Sequence, residues 1–278
     1  MEKYNINKKI YKSKEVVYLT FPLLEQFSFI VHGFSTRYGG VSSGIYQSMN
    51  FAFNSHDKKE NVQENYRIFS EILGIDCNNM VLSAQEHGTN IKIVKKDDKG
   101  KGIKVPKDYN NIDGLATNIS NIHLVAFFAD CVPLFFADPS RQVVGIAHSG
   151  WKGTAGKIAE NMVNVLCQAY KSKLSDIFVA IGPSIGPCCY EVGEEVAAFF
   201  SENVKKCKDD GKYIIDLWQA NKNILTNAGI PETNIVCSEL CTMCNKDMFF
   251  SHRGHKGRRG TMIGVIGIKG ENQTILRE

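Results

Sequence analysis

No apolar run of membrane-spanning length occurs in the 278-residue sequence. Its lysine-containing beginning, MEKYNINKKIYKSKEVVYL, has no signal-type apolar core or small-residue cleavage site behind it. A cytoplasmic protein without membrane association is therefore expected. An excess of one charge is also missing, because 33 basic and 29 acidic residues leave a net charge of +4. Nucleic-acid binding usually needs a clustered basic face, so no nucleic-acid partner is expected. Internal repeats, low-complexity tracts and a recognisable linker are absent, and one domain spanning residues 1–278 is expected. With 43% hydrophobic and 22% charged residues, the composition is that of a globular protein with a substantial core.

A disulfide framework is lacking too. The nine cysteines are odd in number and scattered, and without a secretion signal they are expected to be reduced. Cys77, Cys167, Cys207 and Cys237 have no local partner motif, so they read as buried or incidental thiols. Cys188 and Cys189 are adjacent and too constrained for ordinary pairing with each other. Cys241-Thr-Met-Cys244 has the CxxC spacing of zinc and redox sites. Neither a second CxxC nor a nearby HxxxH accompanies it, so incidental thiols are the preferred reading. The seven histidines form no paired HxH clusters of the kind multicopper oxidation needs.

What the sequence does contain is concentrated in Val125 to Thr154, VAFFADCVPLFFADPSRQVVGIAHSGWKGT. It reads as two apolar strands, VAFFA and VVGIA, joined through LFFADPSRQ with its turn residues Asp138, Pro139 and Ser140. If both strands share one sheet, Cys131 and His148 project from strand ends, where open α/β sheets place their sites. Asp130 precedes Cys131, and Gly150 to Gly153 follow His148 in a small-residue turn, with Thr154 opening a helix. His87, in QEHGTN, also sits at a strand end beside a glycine. Taken singly, each of these fits a structural role: cysteine is often buried, and a glycine-rich turn can be purely local.

The remaining chain supplies scaffold and anion-binding candidates. Val62, Tyr66, Phe69 and Leu73 have helical spacing, with Gly74 as a stop. Residues 95–108, KKDDKGKGIKVPKD, read as a solvated, mobile loop. Asp113 reads as part of an Asp-Gly turn, with service at a site as the alternative. After Thr154, Ile158, Met162, Val165, Leu166 and Ala169 share one face of a helix. HGFSTRYGGVS can aim backbone N–H groups and Arg37 at an anion, with a solvated loop as the alternative. The basic loop His252 to Arg259 suits phosphate or a small anionic substrate.

HGFSTRYGGVS, QEHGTN, DGLATN, FADCVPLFFADP, AHSGWKGT, IGPSIGPCCYEVG, DLWQANKNIL and FFSHRGHKGRRG occur in the order seen in one family. Over residues 30–268 the chain resembles the YfiH/YlmD-like family, also called polyphenol oxidase (laccase domain) or peptidoglycan editing factor. The resemblance implies an α/β (α+β) fold with mixed sheets and flanking helices. It implies zinc held by His87, Cys131 and His148, a set that leaves a fourth position open. It also implies purine nucleoside phosphorylase activity on adenosine, inosine or methylthioadenosine, together with adenosine deaminase activity. In that scheme Asp130 moves protons, while Arg37, Lys152 and Arg253 hold phosphate. Lys152 stands where relatives often carry Arg, which keeps the charge but loses the bidentate fork. Copper-dependent phenol oxidation is one alternative, because thiolate and imidazole also accept copper. A metal-free Cys–His amide hydrolase acting on peptidoglycan precursors is another. The glycine loops suggest a monomer with an exposed groove for a small-molecule substrate.

Overall fold

The computed structural model describes residues 2–270. Its first strands are β1 (Asn5–Tyr11), β2 (Lys14–Thr20), β3 (Ile30–Ser35), β4 (Met80–Leu82) and β5 (Ile91–Ile93). The middle of the chain adds β6 (Gly114–Thr117), β7 (Ile122–Phe128), β8 (Val132–Asp138), β9 (Val143–Ser149) and β10 (Phe178–Ile181). Then follow β11 (Glu191–Val192), β12 (Lys205–Cys207), β13 (Tyr213–Ile215), β14 (Ile235–Cys237) and β15 (Met262–Ile268). One six-stranded sheet has the order β1-β2-β3-β15-β7-β4, and a second has β14-β10-β8-β9-β6-β5. A three-stranded sheet, β11-β13-β12, stands apart from both. Both large sheets are mixed: β4–β7, β5–β6 and β10–β14 pair in parallel, whereas β7–β15 and β8–β9 are antiparallel. This is the α/β (α+β) architecture of mixed sheets and flanking helices expected from the sequence.

The two large sheets pack face to face, and helices cover their outer faces. Strand alternation shows how. In β8, Phe135 and Ala137 face the first sheet, whereas Leu134 and Phe136 pack among the helices. In β7, Leu124, Ala126 and Phe128 face the second sheet, and Val125 turns the other way. Burial on both faces explains why these strands read as continuous apolar runs rather than alternating ones. Helix Lys59–Leu73 covers the outer face of the first sheet with Val62, Tyr66, Ile68 and Phe69. It ends as expected at Gly74, whose φ of 70° is left-handed. Helices Ile158–Tyr170 and Leu217–Asn227 cover the second sheet with Ile158, Met162, Leu166, Leu217 and Leu225.

Four expectations are corrected here. VAFFA and VVGIA do not share a sheet: β7 lies in the first sheet and β9 in the second. LFFAD is no connection but the body of β8, paired with β9 from Val132↔Ser149 to Asp138↔Val143. Its unbroken apolar character concealed the strand. Thr154 does not open the long helix either. A five-residue helix, Trp151–Ala155, comes first, and Lys157 at φ 60° breaks the path before Ile158. Finally, the loop at residues 95–108 is tied down rather than simply solvated. Buried Asp98 accepts ion pairs from Lys92 at 3.1 Å and Lys101 at 2.8 Å. No helix of the described residues is long and apolar enough to cross a membrane.

Candidate metal centre and its cavity

Cys131 occupies the crossing from β7 in one sheet to β8 in the other. The chain makes that crossing at Asp130, whose φ of 91° is unusual for a residue with a side chain. Three bonds hold it there. The Asp130 carboxylate accepts from the Thr242 hydroxyl at 2.6 Å and the Arg253 backbone N–H at 2.7 Å, and its carbonyl accepts from Ile185 N–H at 2.9 Å. Both carboxylate oxygens thus take part in fixing the crossing.

His87, Cys131 and His148 converge, each offering a ligand atom within 4.8 Å of the others. The two imidazole rings are 4.9 Å apart at 73°. Close approach depends on Gly150, where a Cβ would lie 3.0 Å from Cys131 Sγ and 3.3 Å from His87 Cδ2. Asp113, read from the sequence chiefly as a turn residue, organises the group. Its fully buried carboxylate accepts the backbone N–H groups of Glu86, His87 and Gly88 at 3.0, 3.0 and 2.8 Å. It also meets His148 Nδ1 at 2.8 Å, which leaves Nε2 for Cys131 or a metal.

These contacts set the protonation states. Burial raises the Asp113 carboxyl, but hydrogen bonds from His148, Glu86 and Gly88 bring it below its ordinary value. Burial likewise opposes ionisation of Cys131, yet His148 and His87 bring its thiol down to about 6. Burial works against the charge on His148, while Cys131 and Asp113 push it up to about 9. Without metal, both shifts favour a thiolate on Cys131 beside an imidazolium on His148. Two imidazoles and a thiolate suit zinc, and three protein ligands leave one position open.

The three side chains line a cavity of about 510 Å³. Phe53, Phe127 and Phe128 give it apolar walls, and Lys107 and Arg259 give it positive charge. Lys107 Nζ donates to Ser83 O at 2.8 Å. Arg259 donates to Thr261 Oγ1 at 2.7 Å, and its buried Nε meets no protein acceptor. The three cations chosen from the sequence do not line this cavity. Arg37 donates to the carbonyls of Gln47 and Lys246 at 2.9 and 3.0 Å and lies over Phe250. Lys152 lies over Trp151. Arg253 donates to Glu191 O at 2.9 Å and lies over Tyr190. The basic loop does reach the site, through Arg259 rather than Arg253.

Residues 31–269 match the family described as multi-copper polyphenol oxidoreductase laccase. The chain belongs to that family. Within it, the chain is 38% identical over 257 residues to purine nucleoside phosphorylase YlmD of Geobacillus stearothermophilus, spanning 88% of this chain and 92% of that one. It is 35% identical over 250 residues to the Bacillus subtilis protein of the same name, spanning 86% and 89%. Its fold matches the crystal structure of Bacillus licheniformis hypothetical protein YfiH with a TM-score of 0.86 and 36% identity, over 91% and 96% of the chains. The expected YfiH/YlmD relationship is thereby shown. The laccase-type name implies several copper ions, whereas the described residues offer one His–Cys–His set and one separate group of four thiols.

Proposed function

We propose that this chain is a purine nucleoside phosphorylase with a zinc ion held by His87, Cys131 and His148. The observation that carries the reading is the convergence of these three side chains on a cavity with aromatic walls and two cations. The names of relatives that span nearly the same length support the substrate class. A purine is flat and apolar on its faces, which suits Phe53, Phe127 and Phe128. Phosphate suits Arg259 and Lys107, in place of Arg37, Lys152 and Arg253. In the reaction a phosphate oxygen bonds to C1′ of the ribose as the glycosidic C–N bond breaks. The purine leaves with the electron pair and takes up a proton. Arg259 and Lys107 would hold the anion in line, and the aromatic walls would exclude water that competes with it.

Zinc, when bound, would supply a Lewis acid with an open position. Asp113 would orient His148 for that metal through Nδ1. Adenosine deamination is proposed as a second activity of the same cavity, with water replacing the C6 amino group and ammonia leaving. Copper also binds thiolate and imidazole, more tightly than zinc, so the bound metal has to be measured in protein from a copper-poor host.

A second reading has its own support. Cys131, His148 and Asp113 form the chain of contacts of a cysteine hydrolase: a thiolate, an imidazolium and a carboxylate at 2.8 Å from Nδ1. Such an enzyme would cleave an amide, for example in a peptidoglycan precursor, without metal. One experiment separates the readings. Purified protein is given adenosine and phosphate, with and without chelation, and the products are separated by chromatography. Adenine and ribose 1-phosphate, lost on chelation, are expected; inosine would add deamination. No turnover of adenosine, inosine or methylthioadenosine would sink the nucleoside reading, and chelator-resistant cleavage of muropeptides would establish the hydrolase.

A further inference from the structure

We propose that Cys188, Cys189, Cys241 and Cys244 form a second metal site, a tetrathiolate for zinc that fastens two loops together. It shares no ligand with the His87–Cys131–His148 group and does not depend on the proposed activity. The four sulfurs all lie within 4.8 Å of one another. Cys244 Sγ is 3.4 Å from both Cys188 Sγ and Cys189 Sγ. A disulfide needs about 2.0 Å. Tetrahedral zinc with bonds of about 2.3 Å places its sulfurs roughly 3.8 Å apart. The observed spacing is therefore much nearer that of a shared metal than that of a bond.

Packing does not explain the cluster. A buried cysteine can simply be a small apolar residue, and Cys241 alone would fit that description. Cys188 and Cys244 are exposed, however, and exposed thiols gain nothing from apolar burial. Cys241 Sγ also accepts the Gly186 N–H at 3.3 Å, the outer contact that steadies a metal-bound thiolate. Around it the backbone is built for two ligands per loop. Asn245 donates through its N–H and its side chain to Cys241 O at 3.0 and 2.8 Å, closing the CxxC turn. Cys189 and Tyr190 both donate to Gly186 O at 2.9 Å, closing the other. A parallel bridge between Ser184 and Cys241 brings the turns side by side.

Four thiolates form a soft, closed set with no open position, which favours a structural zinc over a catalytic one. The ion would join residues 56 positions apart, Cys188 and Cys244, and so remove much loop freedom. Its place in the fold gives it a further consequence. Thr242, between the two CxxC cysteines, donates to Asp130 Oδ1, and Ile185, on the other loop, donates to Asp130 O. The clamp thus holds both loops that set the crossing before Cys131. Its residues are positioning residues, and they act through Asp130.

The test is metal analysis of the full chain, produced with added zinc and purified reduced without chelator. His87→Ala, which weakens the other site, is expected to retain one zinc per chain. Adding Cys188→Ser and Cys244→Ser should remove it, while Cys207→Ser should not. Should the cysteine variants fail to fold, cobalt exchanged into the His87→Ala protein provides the second measurement. An intense thiolate-to-cobalt charge-transfer band is expected, and its absence overturns the proposal. No retained ion under excess zinc also overturns it, as does a disulfide from Cys244 to Cys188 or Cys189 in the purified protein. Iron or copper in place of zinc overturns the zinc assignment.

Discussion

Asp113 accepts four hydrogen bonds at once, three from the backbone of residues 86–88 and one from His148. It therefore fixes the direction of one imidazole and the loop bearing the other. Asp113→Asn is expected to lower zinc affinity about 10–100-fold, read by competition with a chromogenic chelator. In metal-free protein the same change weakens the imidazolium on His148, so the Cys131 thiol rises from about 6. Its alkylation at pH 7, followed on the Cys131 peptide, should slow. Arg259 differs from the cations first chosen because it faces the cavity. Arg259→Ala should raise the KM for phosphate at least about tenfold with little change for the nucleoside, whereas Arg37→Ala should not separate the two. The grouping of His87, Cys131 and His148 was legible through the family motifs, whereas strand-end position alone left a structural role open for each. Asp113 was obscured because an Asp-Gly turn accounts for it locally, although its burial can be seen only in three dimensions. Cys188–Cys189 and the CxxC were both visible, but nothing along the chain joins them.

At the scale of elements, β8 carries the packing between the sheets. Phe135 is fully buried, lies 5.3 Å from Phe21, and reaches toward Gly264 of β15, where a Cβ would stand 2.7 Å from its ring. Phe135→Ala is expected to cost about 3–5 kcal/mol, measured by urea unfolding. A loss comparable to that of an exposed residue would show that the sheets are not held there. Helix Lys59–Leu73 was readable from its period and its glycine stop, because only one of its faces is buried. Strand β8 was not readable, because both of its faces are buried and alternation disappears. The break at Lys157 had no marker either, since its left-handed backbone is held by the surrounding fold and not by a glycine.

For the whole molecule, buried neutral histidines tie stability to pH. His32 accepts the Phe21 N–H at 2.8 Å and is stacked on its ring. Burial, with Lys269 adding to it, pushes the His32 imidazole down to about 3. The unfolded chain binds that proton near pH 6.5, so this contribution is complete above about 6.5 and is lost as pH falls toward 3. Between pH 6.5 and 5 His32 alone should account for at most about 2 kcal/mol. Urea unfolding at the two pH values should show the loss in the wild type and less of it in His32→Gln. The joint between the two large sheets is also where the site lies, since Cys131 follows the crossing from one sheet to the other. The central claim is that metal at this joint is needed for turnover. Bound zinc and ribose 1-phosphate formation from adenosine and phosphate should be measured on one preparation of His87→Ala beside the wild type. Loss of one zinc per chain together with loss of product is the expected result; undiminished product from protein lacking that zinc would contradict it.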